Sequence, residues 1–203
     1  MISILSWNIR GLGSTIKHSH LKELISQSEA KIVCLCETKK QGIDRNLCSR
    51  LWNTGGLEFR AVDAEGASGG LLMMWDDTFF HVSQVQSNRN WILVEGRFSA
   101  PSATFCVCFV YGASSVESRI EMWKELKGLK PSFKSPRLLI GDLNETINTE
   151  DRRSKKLNRR RVGALKSFMD ALQLIEFPLI GRKFTWSRNH EASRINRAMA
   201  QPE

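Results

Sequence analysis

The chain has no apolar run approaching the roughly 20 residues of a membrane span, so a soluble protein is expected. It also has no cysteine framework: five cysteines are an odd number in 203 residues, and no disulfide scaffold is expected. Cys34/Cys36 and Cys106/Cys108 form C-x-C pairs inside apolar, strand-like runs, without the glycine or histidine that flanks a metal knuckle. They read as small core hydrophobes. The N-terminus, MISILSWNIRG, has neither a basic leader nor a small-residue cleavage site. An intracellular, reducing compartment is expected, with no secretion. No internal repeat or linker is visible, so residues 1–203 read as a single domain, long enough to bury roughly 70 % of the extended-chain surface. Tyrosine occurs once, at Tyr111.

What the chain has in excess is positive charge. The net charge of +9 favours a polyanionic partner, nucleic acid or an anionic membrane, without choosing between them.

The stretch that organises the rest is RLLIGDLNE, residues 137–145. An apolar run at 138–140 reads as a short buried strand that stops at Gly141 and delivers Asp142 and Asn144 to a sheet edge. A carboxylate taken from water costs several kcal/mol or more unless paired. Asp142 therefore reads either as a functional group or as the acceptor of an Asx turn.

In chain order, strands are expected at 2–7 and 32–36, and helices at 17–27, capped by Ser14 or Thr15, and at 43–52. Four β-like runs at 71–75, 79–85, 91–98 and 104–111 suggest an antiparallel meander. Helices at 116–129 and 160–174 and strand pieces at 184–186 and 194–199 complete the reading. This order suggests an α/β fold, two sheets packed as a β-sandwich with helices outside.

Four apolar runs end alike, at Asn8, at Glu37, at Tyr111, and at Asp142 with Asn144. If the strands run the same way within their sheets, these ends gather at one edge, where open α/β folds place their sites. Two carboxylates, two amides and a phenol are hard oxygen donors suited to Mg²⁺ or Mn²⁺. An acid can take a proton from water, an amide can orient it, and a phenol can donate to a phosphoryl oxygen.

The motifs SWNIRGLG (6–13), CETK (36–39), SGGLLMMW (68–75), VYG (110–112), IGDLNE (140–145), KFTWS (183–187) and SRINR (193–197) follow one another along the chain. In this order they resemble the endonuclease/exonuclease/phosphatase superfamily, and most closely the apurinic-type endonuclease domain of plant LINE-type (non-LTR) retrotransposons. The resemblance implies a four-layer α/β/β/α, DNase I-like fold. It implies Glu37 as the principal Mg²⁺ (or Mn²⁺) ligand with Asn8 beside it, and Tyr111 on the scissile phosphate. Asp142 would align or deprotonate the attacking water, Asn144 would bind the phosphate or stabilise the developing charge, and Trp186 would support this edge or serve packing alone. Two departures stand out. Asn196 occupies the position of the acid in the family's SRxDR motif, and the chain ends at Glu203, before the family's Ser-Asp-His motif. The last strands of one sheet are therefore expected to be missing, leaving an exposed edge.

Seven cations follow the organising strand: Arg152, Arg153, Lys155, Lys156, Arg159, Arg160 and Arg161. They read as sequence-independent phosphate contacts to DNA, or as a nuclear-localisation-like or merely solvated loop. Three functions remain open. They are a Mg²⁺-dependent DNA endonuclease, nuclear and monomeric, with a reverse transcriptase following it in the element; a degenerate fragment that binds nucleic acid; and a superfamily phosphatase acting on phospholipid or inositol phosphate.

Overall fold

The computed structural model describes residues 2–52, 55–129, 133, 135–154 and 159–202, with side chains left aside at 159–161. The fold is mixed α/β, with two main sheets and helices around them. The chain forms two compact units, Met1–Phe105 and Cys106–Glu203. No helix among the described residues is long and apolar enough to cross a membrane.

The first unit carries β1 (Ile4–Asn8), α1 (Thr15–Ser28), β2 (Ile32–Cys36), α2 (Arg45–Leu51), β3 (Glu58–Val62), β4 (Leu71–Trp75), β5 (Phe80–Asn88) and β6 (Trp91–Ser99). One sheet has the order β1-β2-β4-β3, with β1 and β2 parallel and β4 antiparallel to both its neighbours. Every residue of β2 (IVCLC) and β4 (LLMMW) is buried, as unbroken apolar runs require when both faces of a sheet are covered. On one face Val33, Leu35, Leu72 and Met74 pack with Leu21 and Ile25 of α1 and with Leu47, Cys48 and Leu51 of α2. Asp44 caps α2 by accepting the Leu47 N–H at 2.8 Å. Strands β5 and β6 form a hairpin with a register shift between Val82 and Gln84. The stacked rings of Phe80 and Phe98, 4.5 Å apart, bind its outer end.

Strand β7 (Ser102–Tyr111) passes from the first unit into the second, within the sheet order β5-β6-β7-β8-β12-β9. The second unit continues with α3 (Val116–Gly128), β8 (Arg137–Asp142), a 3-10 turn at Thr149–Asp151, α4 (Arg159–Leu172) and β9 (Ile175–Glu176). A hairpin of β10 (Trp186–Arg188) and β11 (Glu191–Ser193) and then β12 (Asn196–Ala200) complete it. Strand β8 is parallel to β7 and antiparallel to β12. Helices α3 and α4 meet through Trp123 and Phe168, whose ring centroids are 4.8 Å apart. All five cysteines are buried, and none of them forms a disulfide. Burial pushes the thiols of Cys48 and Cys108 up to about 12, so they pack as inert hydrophobes.

Several sequence expectations need correction. Of the four runs expected to form a meander, the last three, β5, β6 and β7, are consecutive neighbours in one sheet, while the first, β4, lies in the other sheet between β2 and β3. Strand β3 is not among the expected strands: its polar/apolar alternation, which places Phe59 and Ala61 against the core, lasts only from Glu58 to Ala61, and its residues are half-buried except for exposed Arg60. The organising strand does not stop at Gly141 but runs through it to Asp142, because parallel pairing with β7 continues to the end. Ser14 makes no side-chain capping bond, and α2 starts at Arg45 because Asp44 ends the extended segment before it. The final pieces are displaced: β10 begins only at Trp186, β12 only at Asn196, and β11 lies between them. Strand β12 is paired on both sides, its last residues facing Ile175 and Glu176 of β9.

Buried Asp76 ties β4 to the start of β2, accepting from Lys31 at 2.9 Å and from the Thr78 hydroxyl at 2.6 Å. Burial raises its pKa, but the hydrogen bonds from Thr78 and Lys31 and the Lys31 charge outweigh it, so the carboxyl lies below its ordinary value. A depressed folded-state pKa stabilises the fold above the unfolded-state value, about pH 4, and this contribution is lost as pH falls through the folded value. Asp76→Asn is therefore expected to be less stable than wild type at neutral pH, with the gap closing below about pH 4. Urea unfolding over a pH series reads this, and a gap independent of pH would refute it.

Candidate active site

In the first unit, parallel pairing sets the ends of β1 and β2 side by side, with Asn8 opposite Cys36. Glu37 follows Cys36 at once, so the Asn8 amide reaches it: Nδ2 donates to Glu37 Oε1 at 2.8 Å. The Asn8 Oδ1 accepts the Arg10 N–H at 3.2 Å, forming an Asx-type turn. Backbone bonds then lace three motifs together. The amides of Ile9, Gly11 and Leu12 donate to the carbonyls of Cys36, Glu37 and Thr38 at 3.0, 2.7 and 2.9 Å. Thr38 and Lys39 in turn donate to Gly70 and Gly69 at 3.1 and 3.0 Å. Gly70 has to be glycine, since its φ is +84° and a Cβ there would lie 2.2 Å from the buried Thr38 hydroxyl. Thus SWNIRGLG, CETK and SGG form one loop cluster that holds up Glu37.

In the second unit, Tyr111 ends β7, Asp142 ends β8 and Asn196 begins β12, and both neighbours register against Asp142. Asp142 is only 5 % exposed. Its Oδ1 accepts the Asn144 N–H at 3.0 Å, so the Asx turn is real. The Asn144 amide donates to the Gly112 carbonyl at 2.7 Å, and the Gly112 N–H donates to the Asp142 carbonyl at 2.7 Å. Asn144 takes a left-handed φ of 48°, which asparagine tolerates better than most residues. Each of the two motif glycines answers a close approach: a Cβ on Gly112 would lie 2.1 Å from the Leu143 carbonyl oxygen, and one on Gly141 would lie 1.9 Å from that of Val110.

The family model for the endonuclease/exonuclease/phosphatase family matches residues 5–202. The chain belongs to this family. Solved structures of low sequence identity share its fold. The AP endonuclease of Leishmania major is 14 % identical with a TM-score of 0.74, covering 98 % of this chain and 79 % of its own. A Neisseria 3′ phosphatase solved with a product DNA hairpin is 14 % identical with a TM-score of 0.76, covering 100 % of this chain and 87 % of its own. The endonuclease domain of TRAS1, a telomere-specific non-LTR retrotransposon, is 16 % identical with a TM-score of 0.69, covering 98 % and 83 %.

In this family member the other predicted residues fall as follows. Trp186 is half-buried and registers with Ser193 in the β10–β11 hairpin. Thr185, beside it, holds the edge by accepting the N–H groups of Ile195 and Asn196, each at 3.0 Å. Of the basic segment, Arg152 is half-buried and bridges to Ser193, while Arg153 is exposed and bonds the Ala192 carbonyl through its backbone. Lys155 and Lys156 lie outside the described residues, and Arg159, Arg160 and Arg161 open α4.

The sequence reading missed the buried ionic scaffold under the Asp142 loop. Arg119 pairs with Glu145 at 3.2 Å, both side chains 4 % exposed, and also donates to the carbonyls of Ala113 and Ser114. Asp151 accepts the N–H groups of Ile147 and Asn148 at 2.9 and 2.7 Å and pairs with fully buried Arg197, which also holds Glu176. The signal was present in the acid of GDLNE and the last Arg of SRINR, which read as motif ends and not as partners.

Gly112→Ala is expected to displace Asn144 and cost about 1–3 kcal/mol, through overpacking against the Leu143 carbonyl. Urea unfolding checks the cost and the chemical shift of the Asn144 side-chain amide checks the displacement. Wild-type values for both would contradict the close-approach account.

Proposed function

We propose that this chain is a divalent-metal-dependent DNA endonuclease, the nicking module of a plant LINE-type retrotransposon. The observation that carries this reading is the pair of polar clusters at parallel strand ends, Asn8 with Glu37 in one unit and Tyr111, Asp142 and Asn144 in the other.

The donor chemistry fits the metal. Glu37 offers a partly exposed carboxylate and Asn8 an amide oxygen with a lone pair beyond that given to the Arg10 N–H, the hard-oxygen set that would hold Mg²⁺ or Mn²⁺ together with water and substrate phosphate. When bound there, the ion would supply charge to a phosphodiester oxygen. Asp142 would align or deprotonate the attacking water through its carboxylate, which also accepts the Asn144 N–H. The Asn144 amide nitrogen carries a second N–H besides the one given to Gly112, and that N–H would steady a phosphate oxygen. The Tyr111 hydroxyl would donate to the same group. Cations from Arg152 to Arg161 would contact flanking phosphates without reading sequence. The motif spelling and the fold shared with a non-LTR retrotransposon endonuclease support the LINE assignment, with a reverse transcriptase as the partner activity and the nucleus as its place of work.

A second reading, DNA binding without cleavage, rests on Asn196. It stands opposite Asp142 where the family motif has an acid, and an amide cannot supply that charge.

Nicking of supercoiled plasmid in Mg²⁺ or Mn²⁺ against EDTA decides between the two. The endonuclease reading expects metal-dependent nicking that Asp142→Ala and Glu37→Ala each lower by about 10²–10⁴-fold. Salt-sensitive DNA binding with no nicking under either metal would establish the binding reading instead.

A further inference from the structure

We propose that Lys17 is a positioning residue, a half-buried cation that sets the Asn8 amide against Glu37. By sequence pattern alone, residue 17 is the start of a helix with Leu21, Leu24 and Ile25 on one face.

The geometry is specific. From the first turns of α1, the Lys17 ammonium donates to the carbonyls of three consecutive residues, Ile9 at 2.9 Å, Arg10 at 2.7 Å and Gly11 at 3.1 Å. An ammonium has three N–H donors, and all three are used. The next carbonyl, that of Leu12, lies 2.8 Å from His18 Nε2. The same loop is held from its other side, since the amides of Ile9, Gly11 and Leu12 donate to the β2 end. Its amides thus face the strand that carries Glu37, and its carbonyls face α1.

Three carbonyl oxygens that converge on one point repel one another unless a cation sits among them. Arg10 and Gly11 adopt φ of 49° and 97°, a left-handed pair that turns these carbonyls to one side, and Arg10 has no intrinsic preference for it. The left-handed Arg10 also aims its N–H at Asn8 Oδ1, while Asn8 Nδ2 reaches Glu37. The chain of contacts runs from Lys17 to the loop carbonyls, to the Arg10 conformation, to the Asn8 rotamer and so to the Glu37 carboxylate. Removing the cation should free the loop and spread the donor pair without unfolding α1, whose buried contacts are Leu21 and Ile25.

The consequence for metal affinity rests on the metal reading given above, whereas the clamp itself does not. Groups that orient metal ligands typically contribute 10–100-fold in affinity. Lys17→Ala leaves a gap the size of propylammonium beside three acceptors. The test uses the full chain and two readouts: amide hydrogen exchange at Arg10 in metal-free protein, and Mn²⁺ affinity by titration calorimetry. Lys17→Ala is expected to keep a cooperative unfolding transition, to lose Arg10 protection by about tenfold or more, and to bind Mn²⁺ about 10-fold more weakly. Propylammonium should restore both properties, and an uncharged alcohol of the same length should not. Lys17→Met, which keeps the stem and removes the charge, should show the same losses without rescue. Wild-type protection in both variants, or losses that propylammonium leaves unchanged, would overturn the proposal. If wild-type protein bound no Mn²⁺, the metal reading would fall, while the exchange and rescue arm would still decide the clamp.

Discussion

Parallel strand pairing is the constraint on which both candidate clusters depend, each within its own unit. Two strands running the same way end on the same side, so whatever follows one is delivered beside whatever ends the other. Strands β1 and β2 do this for Asn8 and Glu37, and β7 and β8 do it for Tyr111 and Asp142. An antiparallel pair would have sent the members of each set to opposite edges. Hydrogen-bonded backbone thus fixes the spacing within each set before any side chain contributes. The side chains are then trimmed to fit, with glycine at 112 and 141 because the neighbouring chain comes within 2.1 and 1.9 Å of where a Cβ would be.

Buried charge secures the loop beyond Asp142. Taking Arg119, Glu145, Asp151 and Arg197 out of water is costly, and each of their pairs is offset by further hydrogen bonds, although the buried Nε of Arg197 has no partner among the described residues. An apolar core could stabilise the unit at least as well, but it could not hold the backbone N–H groups of Ile147 and Asn148 or the carbonyls of Ala113 and Ser114. The ionic scaffold therefore specifies loop shape more than it adds stability, and that shape presents Asn144.

The sequence was legible where one local pattern decided the structure. The unbroken runs IVCLC and LLMMW could only be buried strands, and their bounds came out unchanged in the fold. Glu37, Asp142 and Asn144 were legible as the polar ends of apolar runs. What was not legible depended on partners distant in sequence. Strand β4 looked like the first strand of a meander because periodicity says nothing of which sheet a strand joins, and pairing with β2, some 40 residues earlier, decided it. Arg197 and Asp151, 46 residues apart, carried no mark of being a pair. Lys17 looked like any solvated helix lysine, since its three acceptors are backbone atoms that no side-chain pattern announces.

Backbone strain points to the same places by an independent route. Among the described residues, seven non-glycine positions have positive φ. Glu29 and Gln173 close helices and Asn189 turns a hairpin, where such conformations are routine. The other four are Arg10, Glu37, Lys39 and Asn144, all within the two loop clusters that carry the candidate groups. Each costs on the order of 1–3 kcal/mol and persists only where its surroundings over-determine it. Here they do: the Arg10 N–H and carbonyl are both bound, Lys39 donates to Gly69, and the Asn144 N–H and side chain are both bound. A fold selected for stability alone would place glycine at Arg10 and Lys39, where no side chain is needed to turn the chain. It would also have no reason to strain a carboxylate at position 37. The strain is concentrated in the loops that carry Glu37 and Asn144, as the proposed function would require of groups held ready in each unit.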